Sequence, residues 1–421
     1  MSTATSVQDM VRPGEVMDIY YYDADTSKKQ AFPTTQNTKY VQQFANLTGG
    51  SSVFTIPPNN GLQDIVCTLV MPNLAGAATG LALPRGWGYA LIKQVSYRYG
   101  GSSQFFLTGD QILQNALRRQ PNSTAMDDIL TLGGNASVTA DLSGNQQTAY
   151  VVLTLPHNIP SMVNKTNPLP TDLLTQQVQV TVELNPVASV FTIAASGASA
   201  PPSALSSAQF QVQQVLLNNQ SDALARRVDM AENAYAFPCE FVQQIQRIPL
   251  ANGGNPFLSG SAVLTGFRSG EVKAVHCWLT RSGDVRTGST GANNPLQWYQ
   301  IAAIQMTYAG DVYARYDSGS SFLWNLINSN KTPRVDQNFQ TVSGATITNA
   351  PSSSYWVELP FAQTFEGEGD MNTLVHGKPI TNGIVNLDIT APFSASDWVL
   401  NVSYIYNATL LFSQGTCDYV F

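Results

Sequence analysis

The acidic loop Phe365-Glu-Gly-Glu-Gly-Asp370 is the segment whose residue types and spacing come nearest to a chemical site. Glu366, Glu368 and Asp370 stand at alternate positions between glycines. Clustered carboxylates could bind Ca²⁺ through oxygen ligands, or could supply the carboxylate pair of a glycosidase. The other ligands of an EF-hand loop and its closing glutamate are missing. We therefore favour a solvated acidic loop and keep the three carboxylates only as a calcium candidate.

The other reactive residue types form no recognisable motif. The chain has three histidines and four cysteines, with no His-Glu-x-x-His, no Cys-x-x-Cys, no phosphate-binding loop and no Gly-x-Ser-x-Gly. His276 and Cys277 are adjacent on a predicted strand, so they should point to opposite faces and form no dyad. Cys67 and Cys277 are expected to be equivalent buried core thiols. We predict no catalytic residue, no resident metal and no cofactor.

Composition narrows the class of protein. Only 12% of the 421 residues are charged, about half the usual fraction. Asn, Gln, Ser and Thr supply the polarity instead, and 31 glycines and 23 prolines favour strands joined by turn-rich loops. The net charge is −7 and Lys and Arg run together only in pairs, so direct nucleic-acid binding is not expected. The chain shows no signal-peptide pattern and no apolar run long enough to span a membrane.

Elements that would position these residues are mostly strands. Apolar and polar residues alternate with period two over 178–184, 385–389 and 400–410, the pattern of half-buried strands. Short helices are predicted over 110–117, capped by Asp110, over 318–327, and over 222–231. Further strands are predicted at 52–57, 62–71, 89–99, 148–155, 208–216, 260–266, 271–279, 298–308 and 355–361.

An internal repeat organises these strands. A shift of 210 residues produces ten identities over positions 53–117 without a gap, among them Val53 with Val263, Cys67 with Cys277 and Gly100 with Gly310. Outside that window, Tyr40-Val-Gln-Gln-Phe44 parallels Phe241-Val-Gln-Gln-Ile245. The alternative is two unrelated β-domains that share generic strand chemistry.

The repeat predicts an all-β chain of two tandem eight-stranded jelly rolls, a double jelly roll, with short helices in the loops. We assign residues 1–38 to an N-terminal arm, 39–220 to the first jelly roll, 221–235 to a connector helix and 236–421 to the second jelly roll. The arm carries mixed charge, so it should not condense a genome.

This organisation resembles the double jelly-roll major capsid proteins of icosahedral double-stranded DNA viruses, which include phages, virophages, polinton-like viruses and large DNA viruses. Gly88-Tyr-Ala-Leu-Ile-Lys-Gln-Val-Ser-Tyr-Arg-Tyr-Gly-Gly101 with the helix at 110–117 is similar to the family's first-domain strand and helix, as is Pro57-Pro58 before the strand at 62–71.

The resemblance implies a homotrimeric, pseudo-hexagonal capsomer that tiles the virion shell. Its partners would be itself, neighbouring capsomers, penton and minor capsid proteins, and an internal membrane beneath the shell. Two other hypotheses remain open. The chain could be a carbohydrate-binding or carbohydrate-active β-sandwich protein, or a minor penton or spike component of a virion. The mass of the protein in solution and its copy number in a particle separate these hypotheses.

Overall fold

The fold is seen in a computed structural model, and it is built almost entirely from antiparallel strands. The structure describes residues 35–58, 61–73, 80–100, 105–118, 123–135, 137–138, 146–153, 155, 169–193, 199–217, 235–250, 259–281, 296, 298, 301, 303–316, 334–343, 346–361, 378–380, 384–390 and 398–421. The calcium candidate Glu366, Glu368 and Asp370 lies outside these residues, as do most of the predicted arm and connector helix.

Strands of the first half run from Thr35 to Leu217. They are β1 (Thr35–Gln43), β2 (Gly50–Ile56), β3 (Gly61–Val70), β4 (Leu81–Leu83), β5 (Ile92–Arg98), β6 (Phe105–Thr108), β7 (Ser137–Val138), β8 (Thr148–Leu153), β9 (Leu169–Pro170), β10 (Val178–Leu184), β11 (Thr192–Ile193) and β12 (Ser207–Leu217). The helices are α1 (Trp87–Leu91), α2 (Gly109–Arg118) and α3 (Ser123–Leu132).

Strands of the second half run from Tyr235 to Val420. They are β13 (Tyr235–Val242), β14 (Gln246–Leu250), β15 (Ser259–Leu264), β16 (Glu271–Arg281), β17 (Ala303–Tyr308), β18 (Asp311–Tyr316), β19 (Arg334–Ser343), β20 (Thr346–Tyr355), β21 (Val357–Pro360), β22 (Lys378–Pro379), β23 (Val385–Thr390), β24 (Trp398–Ser413) and β25 (Thr416–Val420).

The two halves repeat one topology. In the first half the main sheets have the strand orders β1-β12-β3-β8 and β2-β10-β5-β6. In the second half the corresponding orders are β13-β24-β16-β21 and β15-β23-β17-β18. Each half therefore contains a common set of eight strands, four in each of its two main sheets, with the same strand at each place, and the remaining strands are additions to this set. This arrangement confirms the prediction of two tandem jelly rolls.

A β-bulge shows how closely the halves agree. Between β12 and β3 the pairing skips Gln63, and between β24 and β16 it skips Lys273, which is 210 residues further on. A bulge adds one unpaired residue and increases the local twist of the strand. The repeat therefore preserves a local irregularity as well as the strand order. In the second half the bulged Lys273 forms a largely buried ion pair with Glu240 of β13.

The cores lie between the paired sheets, as period-two alternation requires. Val178, Val180, Val182 and Leu184 of β10 point inward and are buried. Strand β24 differs from this pattern because almost every residue from Trp398 to Phe412 is buried. Trp298 and Trp356, whose ring centroids lie 5.8 Å apart, are buried together with Trp278 of neighbouring β16.

Several details differ from the sequence prediction, among them helix α3 and strand β18, which were not predicted. Residues 87–91 form α1, so the strand predicted at 89–99 starts only at Ile92; Gly86 takes a left-handed conformation before the helix, and all five helix residues are buried. Helix α2 is present as predicted, but Thr108 occupies its N-cap position instead of Asp110. No strand is predicted from the sequence between residues 309 and 354, where the structure has the hairpin of β19 and β20. The predicted helices at 222–231 and 318–327 lie outside the described residues.

No helix in the described part of the chain is long and apolar enough to cross a membrane.

Candidate functional site

His276 is a structural residue of β16. Its Nε2 lies 3.1 Å from Oε2 of Glu358, which is directly opposite on β21, and both side chains are buried. Cys277 is the next residue of the strand, so its side chain leaves the other face of the sheet. The pair therefore forms no Cys-His dyad. His157 and His376 lie outside the described residues.

All four cysteines are buried free thiols. Cys67 and Cys277 occupy equivalent positions of β3 and β16 and are fully buried, as the repeat predicted. Desolvation raises the pKa of both thiols well above the ordinary value. The reactive thiolate is therefore strongly disfavoured at both positions. Among the residues that the structure describes, no three His, Cys, Asp or Glu side chains group in a way that could hold a metal ion.

The two jelly rolls meet at a seam of polar and aromatic contacts. We define the seam as the surface where α2, β6 and Thr175 of the first jelly roll meet β13, β24 and β25 of the second. Contacts there join residues more than a hundred positions apart in the chain, so no local sequence pattern could reveal them.

Gln111 of α2 is the polar centre of the seam. Its side chain is 2% exposed. The Nε2 group donates to the backbone oxygen of Gln243 and to Oγ of Ser403, both at 2.8 Å. Its Oε1 accepts the backbone N–H of Thr108 at 3.0 Å, while Oγ of Thr108 accepts the N–H of Gln111. This reciprocal arrangement is a capping box, so one side chain both begins the helix and ties the two domains.

Aromatic rings fill the space beside this polar centre. Phe105 of β6 lies 5.2 Å from Phe241 of β13 and 5.9 Å from Tyr419 of β25, measured between ring centroids. Arg268 adds a cation–π contact, with its guanidinium carbon 4.9 Å from the Phe241 centroid. Phe421 packs edge-on against Phe241. Such large apolar rings supply most of the burial energy of an interface.

Burial also raises the pKa of tyrosine side chains at and beside the seam. Desolvation raises the pKa of Tyr99 and of Tyr419 well above the ordinary value, and neighbouring Cys239 and Cys417 raise it further. Thr175 closes the far side of the seam, where its N–H and hydroxyl both donate to the backbone oxygen of Gly415. The seam is therefore a contact of packed rings and hydrogen bonds, and its described residues form no arrangement of acid, base and nucleophile.

Comparisons with known proteins show the fold. No protein-family model matches the chain, and no curated protein matches it. The PBCV-1 VP54 structure fitted into the virophage Sputnik reconstruction matches with a TM-score of 0.61 and 14% identity, over 94% of this chain and 99% of that chain. The Faustovirus major capsid protein matches with a TM-score of 0.58 and 8% identity, over 94% of this chain and 93% of that one. The mavirus major capsid protein matches with a TM-score of 0.54 and 11% identity, over 98% and 95%.

These matches extend over nearly the whole chain in both directions, so they include both jelly rolls. The chain has the double jelly-roll fold of the major capsid proteins of large DNA viruses and virophages.

Proposed function

We propose that this chain is a major capsid protein that assembles into pseudo-hexagonal homotrimers, and that these capsomers tile the icosahedral shell of a virion. The observation that carries the proposal is the repeat of one eight-stranded topology in a single chain, with the two copies joined by a seam of packed rings and a buried hydrogen bond. Three such chains present six similar domains, which suits a six-sided tile. The full-length likeness to major capsid proteins supports the same role.

The polarity of the chain supports a role in tiling. Amide and hydroxyl groups can be covered by a neighbour at lower desolvation cost than charged groups. With 12% charged residues, the chain can bury large polar faces without stranding many charges. On this proposal the chain acts by self-association and catalyses no reaction. Penton proteins, minor capsid proteins and a membrane beneath the shell would be its further partners.

The test is the mass and shape of the purified full-length protein. Size-exclusion chromatography with light scattering should find three times the 45.4 kDa of the chain, and electron microscopy should show six-sided particles. A protein that stays monomeric at every concentration and binds or hydrolyses glycans would contradict the proposal and favour a carbohydrate-directed β-sandwich. In purified virions, a copy number far below that of the main shell protein would instead indicate a penton or spike component.

A further inference from the structure

Lys273 is a largely buried amine at the β-bulge of β16. Its Nζ lies 2.5 Å from Oε1 of Glu240 on β13, and the two side chains are only 9% and 12% exposed. Removing two charges from water costs free energy that their attraction often fails to repay, so stability alone is a poor reason for such a pair. A chemical role for the amine and the carboxylate is a second reason to keep them together.

Strand pairing places an amide beside this pair. Glu240 lies directly opposite Asn407 of β24, so their side chains are on the same face of the sheet with Cβ atoms roughly 5 Å apart. Strand β24 runs between β13 and β16, and the bulged Lys273 comes between the residues that pair with Ile405 and Tyr406. To reach Glu240, the Lys273 side chain therefore crosses β24 next to Asn407.

Water is largely excluded from this face of β24. Ile405 and Thr409 are the neighbours of Asn407 on the same face, and both are fully buried. Oδ1 of Asn407 is also buried. Desolvation favours the neutral forms of an amine and a carboxyl group, so a proton can pass from the Lys273 ammonium group to the carboxylate that it contacts. The neutral amine is then a nucleophile beside an amide carbon.

The first jelly roll shows that the bulge does not require these residue types. It keeps the bulge, with Gln63 at the place of the lysine. Where the acid pairs with the amide in the second jelly roll, Asn37 pairs with Val215 in the first. At these equivalent positions, only the second jelly roll brings an amine, an acid and an amide together.

We propose that Nζ of Lys273 and Cγ of Asn407 form an isopeptide bond that joins β16 to β24, with Glu240 as the proton carrier. Glu240 first takes a proton from the ammonium group. The neutral amine then attacks Cγ of Asn407 and a C–N bond forms, while Glu240 gives its proton to Nδ2 and takes one from Nζ. The bond between Cγ and Nδ2 breaks, and ammonia leaves. The atoms balance without any further reactant, and each chain reacts once, without turnover.

The bond fixes the central strand of the second jelly roll. Strand β24 pairs with β13, β14, β16 and β25, so most of the larger sheet depends on its position. A covalent link between residues 273 and 407 closes a long loop, and such a link restricts the unfolded chain far more than the folded one. The linked protein should therefore migrate faster than an unlinked variant on a denaturing gel.

The test is the intact mass of the full-length protein, measured by electrospray mass spectrometry after denaturation. We expect the wild type to be lighter than its sequence by one ammonia, and a digest to contain a branched peptide in which Lys273 is joined to Asn407. Lys273→Arg keeps the positive charge but removes the nucleophile, and Glu240→Gln removes the proton carrier. Both variants should have the full mass of their sequences and no branched peptide.

Lys93→Arg is the matched control. Lys93 forms an ion pair with Glu183 at 2.6 Å, but its side chain is 57% exposed. This variant should keep both the ammonia loss and the branched peptide.

The wild type alone can overturn the inference. If the folded wild-type protein has its full sequence mass, or loses ammonia without forming the branched peptide, Lys273 and Glu240 are a structural ion pair and the inference is wrong. A branched peptide that forms as completely in Glu240→Gln would contradict the role of Glu240 as proton carrier. The number of chains in the assembled particle does not enter this test, so the inference and the proposed function can fail separately.

Discussion

Replacing Gln111 by alanine should loosen the two jelly rolls from each other. The substitution removes two buried donations, to the Gln243 carbonyl and to Ser403, and the acceptor for the N–H of Thr108. Each buried hydrogen bond contributes about 1 kcal/mol net, and loss of a helix cap costs about 1 kcal/mol. The sum is about 3 kcal/mol. Ser403 still donates to the Gln243 carbonyl at 3.0 Å, so that carbonyl is not left unpaired.

Urea unfolding, followed by tryptophan fluorescence and by far-ultraviolet circular dichroism, measures this effect. If the seam couples the domains, the wild type should unfold in one transition, and Gln111→Ala should show an earlier onset with separate transitions for the two probes. Two variants divide the effect between its causes. Thr108→Ala removes only the hydroxyl part of the cap and should cost about 1 kcal/mol. Ser403→Ala removes one seam contact and the donation of Ser403 to the Gln243 carbonyl, and should cost about 2 kcal/mol.

The order of stability among these three variants shows whether the seam hydrogen bonds contribute to the coupling of the domains. Gln111→Ala must be clearly less stable than either Thr108→Ala or Ser403→Ala, because only Gln111 joins the cap to the seam. A Gln111→Ala protein as stable as Thr108→Ala, with coincident transitions, would show that the seam hydrogen bonds contribute nothing and that the aromatic packing alone couples the domains.

Three further outcomes follow from the buried groups. Because burial raises the pKa of Cys67 and Cys277, the stability that they contribute is complete below their unfolded value of 9.0 and is lost as pH rises above it. The free energy of unfolding, measured by urea unfolding, should therefore fall as the pH rises above 9.0. In a variant with both cysteines changed to alanine, it should fall less steeply, by up to about 1.4 kcal/mol per pH unit for each thiol removed. Glu358→Ala removes the carboxylate beside buried His276 and should cost about 3 kcal/mol, whereas Glu358→Gln should cost less; equal losses in urea unfolding would argue against the pair. Gly109→Ala would drive its methyl group into two backbone carbonyl oxygens and should cost about 3 kcal/mol, so wild-type thermal stability would contradict that packing.

Sequence patterns predicted the strands well where one face of a strand is buried. The alternation over 178–184 matches β10 residue for residue, because a half-buried strand must alternate. The prediction of helices and strands was poorer where both faces of a segment are buried, and where a long segment between predicted elements has no regular pattern. Residues 87–91 are apolar throughout, and a short apolar run cannot distinguish a buried helix from a strand. The hairpin at 334–355 was missed because it lacks regular alternation of apolar and polar residues.

The helix of Gln111 was predicted from its apolar stripe, but the role of Gln111 was not. A buried glutamine on an amphipathic helix has no periodic signature, and its partners lie 132 and 292 residues further along the chain. Only a folded chain brings these groups together.

By itself, the sequence determined that the chain is all-β and that it contains one topology twice, since strand alternation and the 210-residue offset over positions 53–117 are properties of the residue order. Only the tertiary structure decided which sides of the two jelly rolls meet. The seam brings Phe105, on the β6 side of the first jelly roll, against Phe241, on the β13 side of the second. Burial is a property of position in space, so it becomes known only when the neighbours of each residue are known.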